Sequence, residues 1–122
     1  MKFDDSIPIY LQIKEEIENA IISEVIEEDD AIPSIRSLAQ QYKVNPQTIS
    51  NAITELLHDG ILYKKRGIGM FVETGAHKKL INDKSKEFRN SDIKGLVSKA
   101  RSLDVSKGKL IKLIEKEYDK GE

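Results

Sequence analysis

The chain has 122 residues, of which 34% are charged and 6% are aromatic, and it contains no cysteine. These values predict one globular domain with an extension, and they exclude disulfides and thiolate metal sites. We find neither a long apolar run nor a signal-peptide pattern, so a cytoplasmic protein without a membrane partner is expected. The net charge of −1 hides a segregation, because residues 1–30 carry ten acids and two bases while residues 74–122 carry thirteen bases and eight acids. Such segregation bears on partners rather than on fold.

Two amphipathic helices are predicted in the first third of the chain. Isoleucines recurring at three- and four-residue spacing form one apolar stripe and indicate a helix over about residues 8–23. An acidic turn at residues 27–30 follows it. Pro33 and Ser34 then favour a helix start, and this second helix is expected to end near Lys43.

The third helix has the strongest local signals. Asn45 is a favoured N-cap, and Pro46 suits the first helical position. Ile49 begins the apolar stripe of this helix. Gly60 is well suited to end it in a left-handed conformation.

A hairpin and a helical tail complete the prediction. Residues 61–63 and 70–72 are typical of two short strands, and residues 64–69 form the loop between them. Residues 76–103 are helical in pattern, but the sequence leaves open whether they form one helix or two. Ser106 is placed to cap a last helix. The predicted protein is mainly α with a small β-hairpin, in which a winged helix–turn–helix DNA-binding domain (residues 1–74) precedes a helical dimerisation tail (residues 75–122).

The residue types in the second and third helices and in the hairpin suit DNA. A capped helix N-terminus offers unpaired amides and a positive dipole end to a phosphate, and short polar side chains exchange hydrogen bonds with base edges. Arginine at a hairpin tip suits a narrow minor groove, and glycine lets the backbone come close. The predicted DNA-binding residues are Ser34, Arg36, Asn45, Pro46, Gln47, Thr48, Ser50, Asn51, Lys65, Arg66 and Gly67.

Each of these features also has a purely structural explanation. Asn45-Pro46 alone is explained by a good helix start, and the cations at residues 64–66 by a soluble hairpin tip. His58 and His77 have no carboxylate or cysteine constellation near them in the sequence, so no metal, cofactor or catalytic site is expected. The alternative function is a winged-helix protein-interaction module that uses the acidic N-terminal face, and it would lack the steep salt dependence of DNA binding.

The segment "IPSIRSLAQQYKVNPQTISNAITELLHDGILYKKRGIGMFV" resembles the DNA-binding signature of the GntR family of bacterial transcription regulators. The resemblance covers about residues 7–73. It implies that Arg36, the segment from Asn45 to Ser50, and Arg66-Gly67 meet DNA. The positions that carry it are Pro33, Ser34, Arg36, Leu38, Ala39, Val44, Thr48, Ala52, Leu56, Gly60, Leu62, Arg66, Gly67, Gly69, Phe71 and Val72.

The sequence also departs from the family pattern. Many members have arginine where this chain has Pro46 and Ser50, so guanine readout by those arginines is absent here. The family tends to place glycine where Glu24 and Asp29 stand, in the turn before the second helix. The residues 45–48 are instead similar to the YtrA-like subgroup, whose short helical tail dimerises.

The tail favours a dimer over a ligand-binding domain. Only 49 residues follow Glu73, too few to enclose an ordinary ligand pocket within one chain, and the sequence identifies no small-molecule effector. The resemblance and the tail together predict a homodimeric, sequence-specific repressor that binds an inverted-repeat operator. Packing within one subunit is an alternative explanation for some of the apolar positions. The expected dimerisation residues are Leu96, Val97, Ala100, Leu103, Leu110, Leu113 and Ile114.

Overall fold

The computed structural model describes residues 2–121, and the chain divides into two compact units, Met1–Asn82 and Asp83–Glu122. The chain forms three helices, then a β-hairpin, and then three further helices. In chain order they are α1 (Ile9–Ile22), α2 (Ile35–Tyr42), α3 (Pro46–His58), β1 (Leu62–Lys65), β2 (Gly69–Val72), α4 (Ala76–Glu87), a π-helical turn (Phe88–Asp92), α5 (Ile93–Ser102) and α6 (Lys107–Lys120).

An almost purely aliphatic core holds the first unit together. Ile13, Ile17 and Ile21 make the buried side of α1, because residues four apart share one helix face. Ile9, which continues the same spacing, is 41% exposed, so the stripe predicted for this helix is shorter than expected. The other buried members are Ile32, Leu38, Ala39, Ile49, Ala52, Ile53, Leu56, Ile61, Leu62, Val72, Ala76 and Leu80.

The predicted helix starts and ends are confirmed. Ser34 Oγ accepts a hydrogen bond from the Ser37 amide at 3.0 Å, and Asn45 Oδ1 accepts one from the Gln47 amide at 2.8 Å. Both caps satisfy an amide that the first helical turn leaves without a partner. Lys43 follows α2 with a φ of 57°, and Gly60 follows α3 with a φ of 74°. The short connection between α2 and α3 is thereby set by local chemistry.

The hairpin begins one residue later than predicted and extends two residues further. Strand β1 spans Leu62–Lys65 rather than residues 61–63, and Lys65 pairs with Gly69. Ile61 stays outside the strand because its amide donates to the Leu56 carbonyl at the end of α3, at 3.0 Å. The segment before α2 lies along the other edge of β2, where the Ile32 amide donates to the Met70 carbonyl at 3.0 Å.

The turn between α1 and α2 keeps a left-handed backbone without glycine. Glu24 has a φ of 63° and Asp29 a φ of 67°. These are the positions where the family resemblance leads us to expect glycine. Asp29 is held by its surroundings, since its amide donates to the Val72 carbonyl at 2.8 Å and its carboxylate accepts from the Thr74 hydroxyl at 3.2 Å. At Asp29 the left-handed backbone is therefore held by these hydrogen bonds and not by the freedom of a glycine.

The second unit is helical and has little core of its own. The sequence left open whether residues 76–103 form one helix or two. They form two helices, α4 and α5, which a π-helical turn, Phe88–Asp92, joins without a clear break. Ser106 caps α6 as predicted, with its Oγ accepting from the Lys109 amide at 3.1 Å. Ala100 is the one buried hydrophobic residue that the structure describes in this unit. Within residues 2–121 we find no helix of the length and apolarity needed to cross a membrane.

Candidate nucleic-acid interface

The first turns of α3 present a polar surface. Ile49, Ala52 and Ile53 face the core, whereas Gln47 and Asn51 are exposed. Asn45 and Pro46 are exposed as well, at the N-terminal end of the helix. An exposed N-terminus of this kind combines a positive dipole end with side chains able to donate and accept hydrogen bonds.

Two of the predicted base-reading residues are joined to each other. Gln47 Nε2 donates to Asn51 Oδ1 at 2.9 Å, across one turn of the helix. The four-residue spacing makes the pair possible because such residues are neighbours on a helix surface. Their amides therefore form a single polar group on the exposed face of α3.

Thr48 and Ser50 lie differently from the other predicted readers. Both are half-buried, on the flanks of the exposed face. The Thr48 amide donates to the Asn45 carbonyl at 2.9 Å, and the Ser50 carbonyl accepts from the Thr54 hydroxyl at 2.8 Å. The structure thus separates the outward-facing Gln47 from these two flanking residues.

The start of α2 carries the remaining predicted phosphate contacts. Ser34 is the N-cap, and its hydroxyl oxygen is engaged with the Ser37 amide. Arg36 stands in the first turn and is exposed. A cation at this point is available for a phosphate approaching the helix start.

The cationic tip of the hairpin is smaller than predicted. The predicted loop was residues 64–69, but Lys64 and Lys65 belong to β1, so only Arg66, Gly67 and Ile68 connect the strands. Pairing continues to the end of β1 because the turn closes tightly, with the Ile68 amide donating to the Lys65 carbonyl at 2.9 Å. Gly67 has a φ of 76° and open space around it, so glycine is required there by the backbone and not by a close neighbour.

An aromatic pair that sequence reasoning did not single out supports Lys65. Tyr63 and Phe71 are partners across the two strands, with ring centres 5.7 Å apart and planes inclined by 22°. Lys65 Nζ lies 4.5 Å from the centre of the Phe71 ring and 5.9 Å from that of Tyr63. A cation over an aromatic face is attracted by the ring quadrupole. The two-residue spacing of Tyr63 and Lys65 was the available signal, because alternate residues of a strand share one face.

A small ion-pair network ties α3 to α1. Lys14 Nζ lies 2.9 Å from Asp59 Oδ2 and 3.2 Å from Glu55 Oε2. Partial burial acts to lower the pKa of Lys14, but hydrogen bonds to Asp59 and Glu55 outweigh it and raise the pKa above its usual 10.5. Lys14 therefore stays charged and fixes the C-terminal end of α3 against α1.

Glu28, in the acidic turn, helps to fix the start of α4. The Glu28 carboxylate accepts from the amide of His77 at 3.2 Å. Backbone hydrogen bonds from Gly75 and His77 lower the pKa of Glu28. His77 Nε2 is also 2.8 Å from the Ile22 carbonyl oxygen, at the end of α1. Among the described residues, no group of three or more His, Asp or Glu side chains is placed to hold a metal ion.

The arrangement of three helices, a connection of three residues before α3, and a paired hairpin agrees with a known family. Residues 9–72 match the family described as "Bacterial regulatory proteins, gntR family". The chain belongs to this family. The predicted family and the predicted fold class, a winged helix–turn–helix with a helical C-terminal region, are confirmed.

Two relatives from Bacillus subtilis (strain 168) extend the comparison. The uncharacterized HTH-type transcriptional regulator YhcF is 30% identical over 114 residues, which cover 93% of each chain. The HTH-type transcriptional repressor YtrA is 34% identical over 79 residues, covering 65% of this chain and 61% of that repressor. The chain thus spans nearly all of YhcF but less than two thirds of YtrA.

Solved structures agree with the fold. A GntR family transcriptional regulator from Listeria monocytogenes is 33% identical with a TM-score of 0.76, covering 93% of this chain and 98% of that one. AraR(DBD) in complex with operator ORR3 is 39% identical with a TM-score of 0.54, covering 59% of this chain and 87% of that one. The first likeness extends over both units of the chain, and the second is confined to a little over half of it.

Proposed function

We propose that this GntR-family chain is a transcriptional repressor that binds an inverted-repeat DNA operator as a homodimer. The observation that carries the proposal is the exposed polar start of α3, where Asn45 caps the helix and Gln47 and Asn51 face outward. Further support comes from AraR(DBD), a protein solved with operator DNA that matches 59% of the chain.

The predicted residues of α2, α3 and the hairpin have different roles in the proposal. Arg36 and the capped start of α3 hold backbone phosphates, because a helix N-terminus attracts anions. Gln47, Thr48, Ser50 and Asn51 approach base edges in the major groove. Lys65, Arg66 and Gly67 follow the adjacent minor groove, with Lys65 held by the aromatic pair. We assign DNA binding to residues 1–74 and dimerisation to residues 75–122.

The proposed dimer interface is the apolar surface of the second unit. Several large hydrophobic side chains there are about 40% exposed or more. A group of exposed apolar side chains of this size is typical of an interaction surface. A groove of about 290 Å³ between α5 and α6 is lined by the apolar residues Val97, Ala100, Val105 and Leu110 and by the cations Arg101 and Lys107. We infer that a second copy of the chain covers this surface. The exposed side chains are Phe88, Ile93, Leu96, Val97, Leu103, Ile111, Leu113, Ile114 and Tyr118.

Gel-shift titration over a range of salt concentrations tests DNA binding. In a footprinting experiment the protein should protect a site in the DNA upstream of its own gene. Its affinity for DNA should fall steeply with salt as counterions are released. Arg66→Ala should reduce the slope of log affinity against log salt by about 1, the value for one lost phosphate contact. Arg89→Ala, which removes an exposed arginine of the second unit, is the control and should leave the slope unchanged. Absence of any selective, salt-dependent duplex binding would overturn the proposal in favour of a protein-interaction module.

Sedimentation of the parent and of Leu113→Asp tests the dimer. The parent should sediment as a dimer at micromolar concentration, and the variant should favour monomers because a charge is placed in an apolar interface. The variant should also lose far more affinity for the full operator than for a half-site, since each half alone makes few contacts. Asn90→Asp adds the same single negative charge at an exposed polar position of the second unit and is the control for charge. A monomeric parent, or a dimeric Leu113→Asp variant with normal binding, would exclude the second unit from this role.

A further inference from the structure

We infer that Asn51 is a positioning residue which fixes the Gln47 amide so that Gln47 selects a base carrying an exocyclic amino group. The inference rests on the proposed function and adds to it a chemical class of base. Its basis is the hydrogen bond of 2.9 Å from Gln47 Nε2 to Asn51 Oδ1, between two exposed side chains on the polar face of α3.

The bond limits what Gln47 can present to DNA. A free glutamine side chain turns its amide either way and so offers a donor or an acceptor to any base. Here one Nε2 hydrogen is committed to Asn51, so the amide can no longer turn over without breaking this bond. The Oε1 atom takes no part in that bond and remains an acceptor, and the second Nε2 hydrogen remains a donor, so the amide presents its acceptor and its donor in one fixed order.

An acceptor held in this way distinguishes bases by one group. In the major groove adenine presents its N6 amino group and cytosine its N4 amino group, and both donate hydrogen bonds. Guanine and thymine present the O6 and O4 acceptors at the corresponding place, and these would face Gln47 Oε1 as like partners. The fixed Gln47 amide should therefore prefer adenine or cytosine over guanine or thymine at the base it meets.

The absence of arginine from the same helix turn makes this readout more important. Pro46 has no side-chain donor, and Ser50 is half-buried with a short hydroxyl. Gln47 is consequently the longest exposed side chain in the first turn of α3. Asn51 is shorter and lies one turn further from the N-terminus, where it reaches Gln47.

If Asn51 had a purely structural role, its substitution would lower the melting temperature and leave base preference unchanged. Asn51 is exposed and packs nothing into the core, and a surface side-chain pair four residues apart adds little to helix stability. Asn51→Ala should therefore unfold at the temperature of the parent. Its effect should appear in base preference at one operator position.

The test begins with selection from a random duplex pool, followed by gel-shift titration at fixed salt. The position read by Gln47 is the one whose preference disappears in Gln47→Ala. There the parent should prefer adenine or cytosine over guanine or thymine by about tenfold, a usual discrimination for a well-formed side-chain contact. Asn51→Ala should reduce this preference to about threefold or less. Thr54→Ala, on the exposed side of the same helix, is the matched control and should keep the full preference.

A double-mutant cycle and base analogues complete the test. In the Gln47→Ala background Asn51→Ala should have no further effect at this position, because Asn51 acts through Gln47. Replacing the preferred adenine by purine, or cytosine by pyrimidin-2-one, removes the amino group and should weaken the parent but not Gln47→Ala. The inference is overturned if Asn51→Ala keeps the preference, if it weakens all duplexes equally, or if its effect persists without Gln47. If the parent binds no duplex selectively, the proposed function fails first, and the inference fails with it.

Discussion

The left-handed turn after α1 gives a quantitative prediction about stability. Glu24 has a φ of 63°, a conformation that costs an L-residue about 1–2 kcal/mol. Glycine avoids that cost. It loses more conformational freedom on folding than other residues do, however, and this costs about 0.5–1 kcal/mol. Glu24 lies 3.7 Å from His77 Nε2 and is 66% exposed, so loss of that contact should matter little. Glu24→Gly should therefore raise the free energy of unfolding by about 0.5 kcal/mol.

Thermal denaturation followed by circular dichroism measures this difference. For a unit the size of Met1–Asn82, half a kilocalorie corresponds to a rise in melting temperature of about 2–4 °C. Glu24→Ala separates the two contributions, because alanine also loses the carboxylate but keeps the strain. It should be no more stable than the parent. If Glu24→Ala and Glu24→Gly have equal stability, the backbone argument is wrong.

Asp29 gives the contrasting case within the same turn. Its φ is 67°, but aspartate tolerates this region better than glutamate does. Its carboxylate also accepts hydrogen bonds from the hydroxyls of Thr74 and Tyr63. Asp29→Gly loses those contacts for a smaller relief of strain, so it should lower stability where Glu24→Gly raises it. An equal gain from glycine at both positions would show that the contacts of Asp29 contribute nothing.

Three further predictions concern the core, pH dependence and DNA affinity. Ile49 is fully buried, and Ile49→Ala should lower the free energy of unfolding, measured by urea titration, by about 2–5 kcal/mol. A loss below about 1 kcal/mol would mean that the surrounding side chains collapse around the smaller residue. Lys14→Met should cost about 1 kcal/mol at neutral pH; because folding raises the pKa of Lys14, this contribution is complete below pH 10.5 and is lost as the pH rises through the folded value, so the parent and variant should converge at that alkaline pH. Arg36→Ala should weaken all duplexes about equally, by about 1–3 kcal/mol in gel-shift titration, and a change in base preference would instead make Arg36 a reader.

The helices were predictable because their signals are local. The caps at Ser34 and Asn45 act within their own first turns, and Gly60 acts at the end of α3. Isoleucine spacing identifies the buried side of α1 from Ile13 onward, although Ile9 continues the spacing and is exposed. None of these features needs information from a distant part of the chain. Sequence reasoning therefore placed α1, α2 and α3 to within one or two residues.

The hairpin and the turns were harder because their partners are distant. The register of β1 depends on Ile61 being used by α3, which decides that pairing starts at Leu62. The left-handed geometry at Asp29 depends on contacts with Val72 and Thr74, more than forty residues away. The support of Lys65 by Phe71 likewise requires the strand register to be known. A single window of sequence shows at most that Tyr63 and Lys65 share a strand face, and it does not identify the distant partner of either residue.

The positions of the cations suggest how affinity and specificity are divided in this protein. In the proposed reading surface the first turn of α3 has no charged side chain, since it consists of Pro46, Gln47, Thr48 and Ile49. The cations lie at Arg36 and in the hairpin at residues 64–66. Phosphate contacts give affinity that depends on salt, whereas uncharged amides discriminate bases with little salt dependence. Substitutions in the hairpin should therefore change the salt slope, and substitution of Gln47 should change base preference at constant slope. A protein whose amide variants alter the slope as much as its arginine variants would not divide the two tasks in this way.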